Sequence, residues 1–162
     1  MATQNLLQRL DKAADTTGSS VDASDRRIEE TFVAAEAIAA GDFVTLDLSQ
    51  SDNSDKALFV KKLTSTAVSS LGVGVAIKAA AEGEAIRVCI RGMISANVDN
   101  SVAQGDRLVS SSSAGRVEPA PEFLTVTGGA GAGTTAQQAY IVAFAVSVAA
   151  GNVATVYVLP NF

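Results

Sequence analysis

Apolar and polar residues alternate along short segments of this chain, and turn residues separate each segment from the next. Alternation with a period of two places apolar side chains on one face of a strand and polar ones on the other. The clearest example is 85–92, where Ile86, Val88 and Ile90 alternate with Arg87, Cys89 and Arg91. Further strands are predicted from residue 32 and at 43–48, 57–63, 72–77, 108–109, 140–148 and 153–159, with polar loops at 49–55 and 127–138. The pattern therefore predicts an all-β fold.

Two parts of the chain carry the same features in the same order. In each part a Gly-Asp turn is followed by a strand and later by a Val- and Ala-rich hairpin with glycine at its turn. We predict two tandem β units, at about 31–95 and 96–162, that share one compact β-barrel-like body. The glycines supply positive φ, and the aspartates are expected to bond to the backbone of their own turns. The predicted turn residues are Gly41, Asp42, Gly83, Gly105, Asp106 and Gly151.

Residues 1–30 differ from the rest of the chain. Leu6, Leu7 and Leu10 form a short apolar stripe that predicts one short helix, and ten charged residues fall in this segment. A helix of this length is marginal by itself. We expect an extended N-terminal arm that becomes ordered when its leucines bind a groove. The alternative is a frayed terminus without a role.

The composition predicts a thin hydrophobic core. Of the 77 apolar residues 29 are alanine, which leaves few large side chains to fill the interior of a body of 162 residues. Residues 123–162 carry no charged side chain, although the overall charged fraction of 18% would place about seven there. Interface cores are depleted of charge, so we expect subunit contacts at Tyr140, Phe144, Tyr157 and Phe162. The alternative is that uncharged polar residues alone keep this segment soluble.

Charge and hydropathy argue against nucleic-acid binding and against a membrane-spanning helix. A net charge of −5 argues against nucleic acid, because phosphate binding requires clustered Lys and Arg. Residues 139–159 are uncharged and long enough for a membrane helix, but their repeat counterpart at 75–90 carries Lys78, Glu82, Glu84 and Arg87. We therefore expect no membrane span. The first ten residues also lack the apolar core of a signal peptide.

The sequence offers no catalytic constellation. The chain has no histidine, so neither Cys89 nor the serines at 110–113 have the usual general base. We expect Cys89 to be buried as a small hydrophobic residue. The glycines at 128–133 lack the following lysine of a phosphate-binding loop. The sequence therefore predicts a protein that is not an enzyme and binds neither a cofactor nor a metal.

Four segments together resemble the small head decoration (cement) proteins of tailed phages: 37–44, 71–76, 80–92 and 104–108. The resemblance spans about 32–159 and implies a compact β-barrel or β-tulip body. It further implies a virion protein, often a homotrimer, that sits on the outer surface of the capsid. There it would clamp neighbouring subunits of the major capsid protein.

Two other functions stay open at this stage. One is a head-fibre base or adhesion module that binds a glycan or a receptor. The other is a carrier domain, because Asp55-Lys56-Ala57 resembles the modified turn of lipoyl carriers.

Overall fold

The computed structural model of the chain describes residues 27–64, 72–120 and 141–159. Nine strands and one short helix form an all-β domain, as the sequence predicts. The elements are β1 (Ile28–Ala34), β2 (Phe43–Leu46), α1 (Asn53–Leu58), β3 (Phe59–Lys62), β4 (Gly72–Ala76), β5 (Ala85–Asn97), β6 (Arg107–Ser110), β7 (Val117–Pro119), β8 (Ala143–Ala145) and β9 (Val153–Val158).

One sheet contains all nine strands, in the order β1-β3-β2-β4-β5-β9-β8-β6-β7. Strand β1 also pairs with the first half of β5, which closes the first five strands into a barrel. The second half of β5 pairs with β9 instead. We call β1 to β4 with residues 85–91 unit 1, and residues 92–98 with β6 to β9 unit 2.

The pairings of unit 2 repeat those of unit 1. In unit 1, β1 lies parallel to β3, and antiparallel pairs then link β3 to β2, β2 to β4, and β4 to β5. In unit 2 the antiparallel pairs link β7 to β6, β6 to β8, and β8 to β9. A parallel bridge between Val98 and Val117 takes the place of the β1–β3 pair. The two units therefore have the same topology.

Backbone hydrogen bonds fix which residues correspond. The amide of Gly41 donates to the carbonyl of Ala76, and that of Gly105 donates to the carbonyl of Ala145. The carbonyl of Val60 accepts from the amide of Ala35, and in the same way the carbonyl of Val117 accepts from the amide of Asp99. In register, Phe43 pairs with Val75 as Arg107 pairs with Phe144. On the next strand of each unit, Val75 pairs with Cys89, and the corresponding Phe144 pairs with Tyr157.

The buried apolar side chains form two clusters. One lies inside unit 1 and includes Val44, Ala76 and Val88. The other contains the interior of unit 2 together with four residues of unit 1, which are Phe43, Leu63, Val75 and Cys89. Neighbours along a strand point to opposite faces, so Phe43, Val75 and Cys89 face away from the interior of unit 1. They join the two units into one body.

The connection between β2 and β3 differs from the prediction. A polar loop at 49–55 and a strand from residue 57 were expected, but α1 occupies 53–58 and β3 starts at Phe59. Asp52 has the extended conformation of a helix N-cap, and its carbonyl accepts from the amide of Lys56 at 3.1 Å. A helix of six residues is too short to show an apolar periodicity. Lys56 therefore lies on a helix and not at the tip of the hairpin that the carrier hypothesis requires.

Several strand limits also differ from the predicted ones. Strand β1 begins at Ile28 rather than at residue 32, and β8 covers only 143–145 of the predicted 140–148. Strand β5 continues five residues beyond the predicted end at Gly92 and so serves both units. Strand β7 was not predicted separately. In the described part of the chain, no helix has the length and apolar character required to cross a bilayer.

Candidate docking surface

A row of large side chains crosses the outside of unit 2. Arg107 pairs with Phe144, Phe144 with Tyr157, and Tyr157 with Met93, so the four lie side by side across β6, β8, β9 and β5. We call these four residues the outer row. Phe144 is 36% exposed, although aromatic side chains of this size are usually covered.

Strand alternation sets the direction of the outer row. Leu108, Ala143 and Val156 precede or follow members of the row along their strands and are buried inside unit 2. Their neighbours must then face away from that interior. The row is therefore a surface feature that the core of unit 2 cannot cover.

More exposed apolar side chains lie close to the outer row. Val146, Val148 and Val153 are 36%, 60% and 43% exposed and follow β8 or begin β9. Two residues along β5 and β9 from the pair of Met93 and Tyr157, the outward positions hold the uncharged pair of Ser95 and Thr155. Several exposed apolar side chains on neighbouring strands, with no charged residue among them on β5, β8 and β9, are typical of contact sites.

The residue of unit 1 that corresponds to Met93 is charged. Glu29 pairs in register with Cys89, and so takes in unit 1 the position that Met93 takes in unit 2. Its carboxylate bonds to Arg27 and to the exposed Arg87. An ion pair with a largely exposed partner such as Arg87 adds little stability.

Asp42 connects the two units. Its Oδ2 accepts from the amide of Ala39 at 2.9 Å, within its own turn, and its Oδ1 accepts from Asn97 Nδ2 at 2.8 Å. The side chain is buried, and the turn of unit 2 at Gly115 packs against it so closely that a Cβ there would lie 2.8 Å from Asp42 Cγ. Asp106 bonds in the same way to the amide of Ala103, at 2.7 Å.

Cys89 lies at the contact between the units and is fully buried. Its Sγ is 3.4 Å from the carbonyl oxygen of Arg91, and burial raises the pKa of the thiol to about 11. A thiol in this state is neither a nucleophile nor a metal ligand at neutral pH. In the described part of the chain, no group of three potential metal-ligating side chains comes together.

No protein-family model matches the chain, and no curated protein matches it. The fold is similar to that of a solved structure, the head fiber gp8.5 N base of bacteriophage phi29, with a TM-score of 0.53 and 14% sequence identity. The match covers 82% of this chain and 94% of that one. At this identity the likeness shows a shared fold.

The structure locates some of the predicted contact residues. Phe144 and Tyr157, which the sequence analysis proposed for subunit contacts, stand next to each other in the outer row. Whether they contact a subunit stays a prediction. Five others, Leu6, Leu7, Leu10, Tyr140 and Phe162, lie outside the described residues, and so does the predicted arm apart from residues 27–30.

The four predicted turn glycines all have positive φ: Gly41 at 86°, Gly83 at 81°, Gly105 at 91° and Gly151 at 58°. No sequence pattern indicated a role for Asn97, Gly115, Leu48 or Leu58. Asn97 and Gly115 act only through contacts between the units, so no local pattern indicates them. The high exposure of Leu48 and Leu58 likewise follows from the fold and not from their neighbours in sequence.

Proposed function

We propose that the chain is a non-enzymatic structural protein of a phage virion that binds the outer surface of the capsid as a homo-oligomer. The observation that carries this proposal is the fold-wide likeness to the head fiber base of phage phi29. The resemblance of four sequence segments to head decoration proteins supports the same place of action independently. A protein of this kind requires contact surfaces and no pocket.

In the leading form of the proposal, the protein clamps neighbouring subunits of the major capsid protein. The physical requirement is modest, because an interface of about 1,000 Å² has a gross hydrophobic term near 25 kcal/mol before the losses of association. Oligomers add to this, since each subunit after the first binds at a high effective concentration. The exposed apolar surface around Phe144 and the leucine-bearing arm are the contact regions that we propose.

A second form of the proposal is a base that anchors a head fibre. The likeness to the phi29 head fiber base favours this form specifically. A fibre base requires firm attachment but has no need to bridge capsid subunits. The two forms therefore differ in what they do to the stability of the shell.

Mixing the purified chain with expanded, undecorated capsids tests the proposal. We expect stoichiometric binding by cosedimentation and, for a clamp, a higher melting temperature of the shell. A fibre base would bind at a fixed stoichiometry and leave the melting temperature unchanged. No binding at any salt concentration would exclude both forms.

A deletion variant tests separately whether the N-terminal arm takes part in attachment. Deleting residues 1–30 is expected to weaken attachment while the circular dichroism spectrum and the unfolding midpoint of the body stay unchanged. If the truncated chain binds capsids as tightly as the full chain, the arm has no part in attachment.

A further inference from the structure

Strands β3 and β7 occupy corresponding places in the two units, and on each the partner strand covers only the first part of the outer side. The carbonyls of Val60 and Val117 accept equivalent hydrogen bonds, so these two residues correspond. Counting on two residues along each strand makes Lys62 the counterpart of Pro119. The two strands can therefore be compared at the positions where their partners have ended.

On β3 the outward amide at this position is capped by a side chain. Strand β1 pairs with β3 only as far as Val60. The amide of Leu63 donates to the carbonyl of Phe43 on β2, so the preceding amide, that of Lys62, faces away from β2. It donates to Glu36 Oε1 at 2.8 Å. The carboxylate of Glu36 thus takes the place of the carbonyl that a longer β1 would supply.

On β7 the same position has no amide hydrogen at all. Strand β7 stands at the end of the sheet that the described residues form, and a parallel bridge between Val98 and Val117 marks its outer side. The amide of Ala120 donates to the carbonyl of Arg107 on β6, so position 119 faces outward as Lys62 does. Proline carries no backbone donor. Pro119 therefore leaves nothing at this edge for an acceptor to bind.

The residue that corresponds to Glu36 has a different use in unit 2. Because the amides of Ala35 and Asp99 make equivalent bonds, the residues that follow them, Glu36 and Asn100, correspond. Asn100 Oδ1 accepts from the amide of Asn152 at 3.1 Å. The acidic cap is thus present in the unit whose edge has an amide and absent from the unit in which proline has removed it.

We propose that Glu36 and Pro119 block the outer edges of β3 and β7 against pairing with a strand of another copy. An edge amide is the donor that an added strand requires, and proline and charged side chains protect sheet edges. A strand that approached β3 would also have to displace and desolvate a carboxylate. Copies of the chain then associate through side chains and not by extension of the sheet. The inference constrains the homo-oligomer of the proposed function and holds whether or not the chain binds capsids.

Hydrogen exchange at the Lys62 amide, followed by NMR, tests the role of Glu36. In Glu36→Ala this amide should exchange about tenfold faster than in the wild type, because its hydrogen bond is lost. Glu36→Gln keeps an acceptor oxygen and should stay close to the wild-type rate. The amide of Leu63 is the internal control, since its bond to Phe43 is present in every variant. Equal rates for Lys62 in Glu36→Ala and in the wild type would overturn the role of Glu36.

Light scattering of the full chain over a range of concentrations tests the block itself. The double variant of Glu36→Ala and Pro119→Ala has a free amide at both edges, and we expect its mass to grow beyond that of the wild type as the concentration rises. The two single variants should grow less, and they keep the test available if the double variant does not fold. Glu82→Ala is the matched control, because it removes the same charge at an exposed turn.

Thermal unfolding establishes which variants are folded. Folded edge variants that keep the wild-type mass at every concentration would overturn the inference. Equal growth of Glu82→Ala would overturn it too, because the effect would then follow from lost charge and not from the edges. A wild-type chain that fails to bind capsids would remove the proposed function and leave this inference intact.

Discussion

Asn97 Nδ2 donates a 2.8 Å hydrogen bond to Asp42 Oδ1 across the junction of the two units. Asn97 ends β5, the strand that both units share, and its backbone amide also donates to the carbonyl of Gly41. The turn of unit 1 is therefore held by its own backbone and by unit 2 at the same time. Asp106, at the corresponding turn, bonds to the amide of Ala103.

Replacing Asp42 should cost more stability than replacing Asp106. In Asp42→Ala the backbone amide of Ala39 and the side-chain amide of Asn97 both lose a charged acceptor at a part-buried site, and we expect a loss of about 2–3 kcal/mol. In Asp106→Ala one amide at a more accessible turn is affected, with a loss of about 1 kcal/mol. Urea unfolding of the two variants measures the difference. Equal losses would show that the bond to Asn97 adds nothing to folding.

Alanine substitutions at Gly115 and Gly83 distinguish the stability cost of backbone strain from that of packing. Both have positive φ, of 78° and 81°, so alanine at either position is expected to cost about 1 kcal/mol for conformation alone. Around Gly83 nothing lies within 4 Å of an added Cβ, whereas at Gly115 that atom would meet Asp42 Cγ at 2.8 Å.

We therefore predict that Gly115→Ala loses about 2 kcal/mol more than Gly83→Ala, because the junction must move to admit the methyl group. The unfolding free energies of both variants in urea check this. Similar values would mean that Asp42 can move away from the added methyl group without a loss of stability.

The sequence predicted those parts of the fold that local patterns encode. Alternation over 85–92 and the repeated Gly-Asp turns are local features, and they indicated the all-β class and the positions of the turns. The helix at 53–58 was missed because six residues carry no periodicity that could be distinguished from a loop. The end of β5 was placed at Gly92 because the exchange of partners there, from β1 to β9, depends on contacts distant in sequence.

The candidate site was only partly predictable for the same reason. Aromatic residues in an uncharged segment indicated Phe144 and Tyr157, but their adjacency follows from the β8–β9 register. The sequence did not indicate which other apolar residues are exposed, nor where the two units meet. Leu48 and Leu58 resemble ordinary strand residues until the fold exposes them, and Gly115 resembles any other turn glycine.

The stability of the body should fall in acid partly through Asp47. Burial alone would raise the pKa of this carboxyl, but hydrogen bonds from Ser49, Lys61 and Gln50 outweigh burial and lower the pKa from 3.8 to about 2. A group with a depressed pKa contributes its stability fully above the unfolded value and loses it as the pH falls toward the folded one. The relevant window therefore runs from about pH 4 down to about pH 2.

Asp47→Asn is the variant that isolates this effect. At pH 7 it should be about 2 kcal/mol less stable than the wild type, because the negative charge that strengthens the hydrogen bonds from Ser49, Lys61 and Gln50 is lost. Between pH 4 and pH 2 the difference should shrink as the wild-type carboxylate takes up a proton. Urea unfolding at several pH values measures this, and a difference independent of pH would exclude Asp47 as the source.

Cys89 should resist thiol reagents as long as the chain is folded. It is the only cysteine, so any modification reports on this position alone. Its Sγ is buried between the units, and a pKa of about 11 leaves roughly one thiolate in a thousand at pH 8. The unfolded chain has an exposed thiol of ordinary pKa, with about one thiolate in ten at pH 8, so we expect native labelling to be at least a hundredfold slower. Mass spectrometry after timed iodoacetamide treatment, with and without guanidinium, gives both rates. Comparable rates would mean that the two units separate readily in solution, which a shared core that includes Cys89 does not allow.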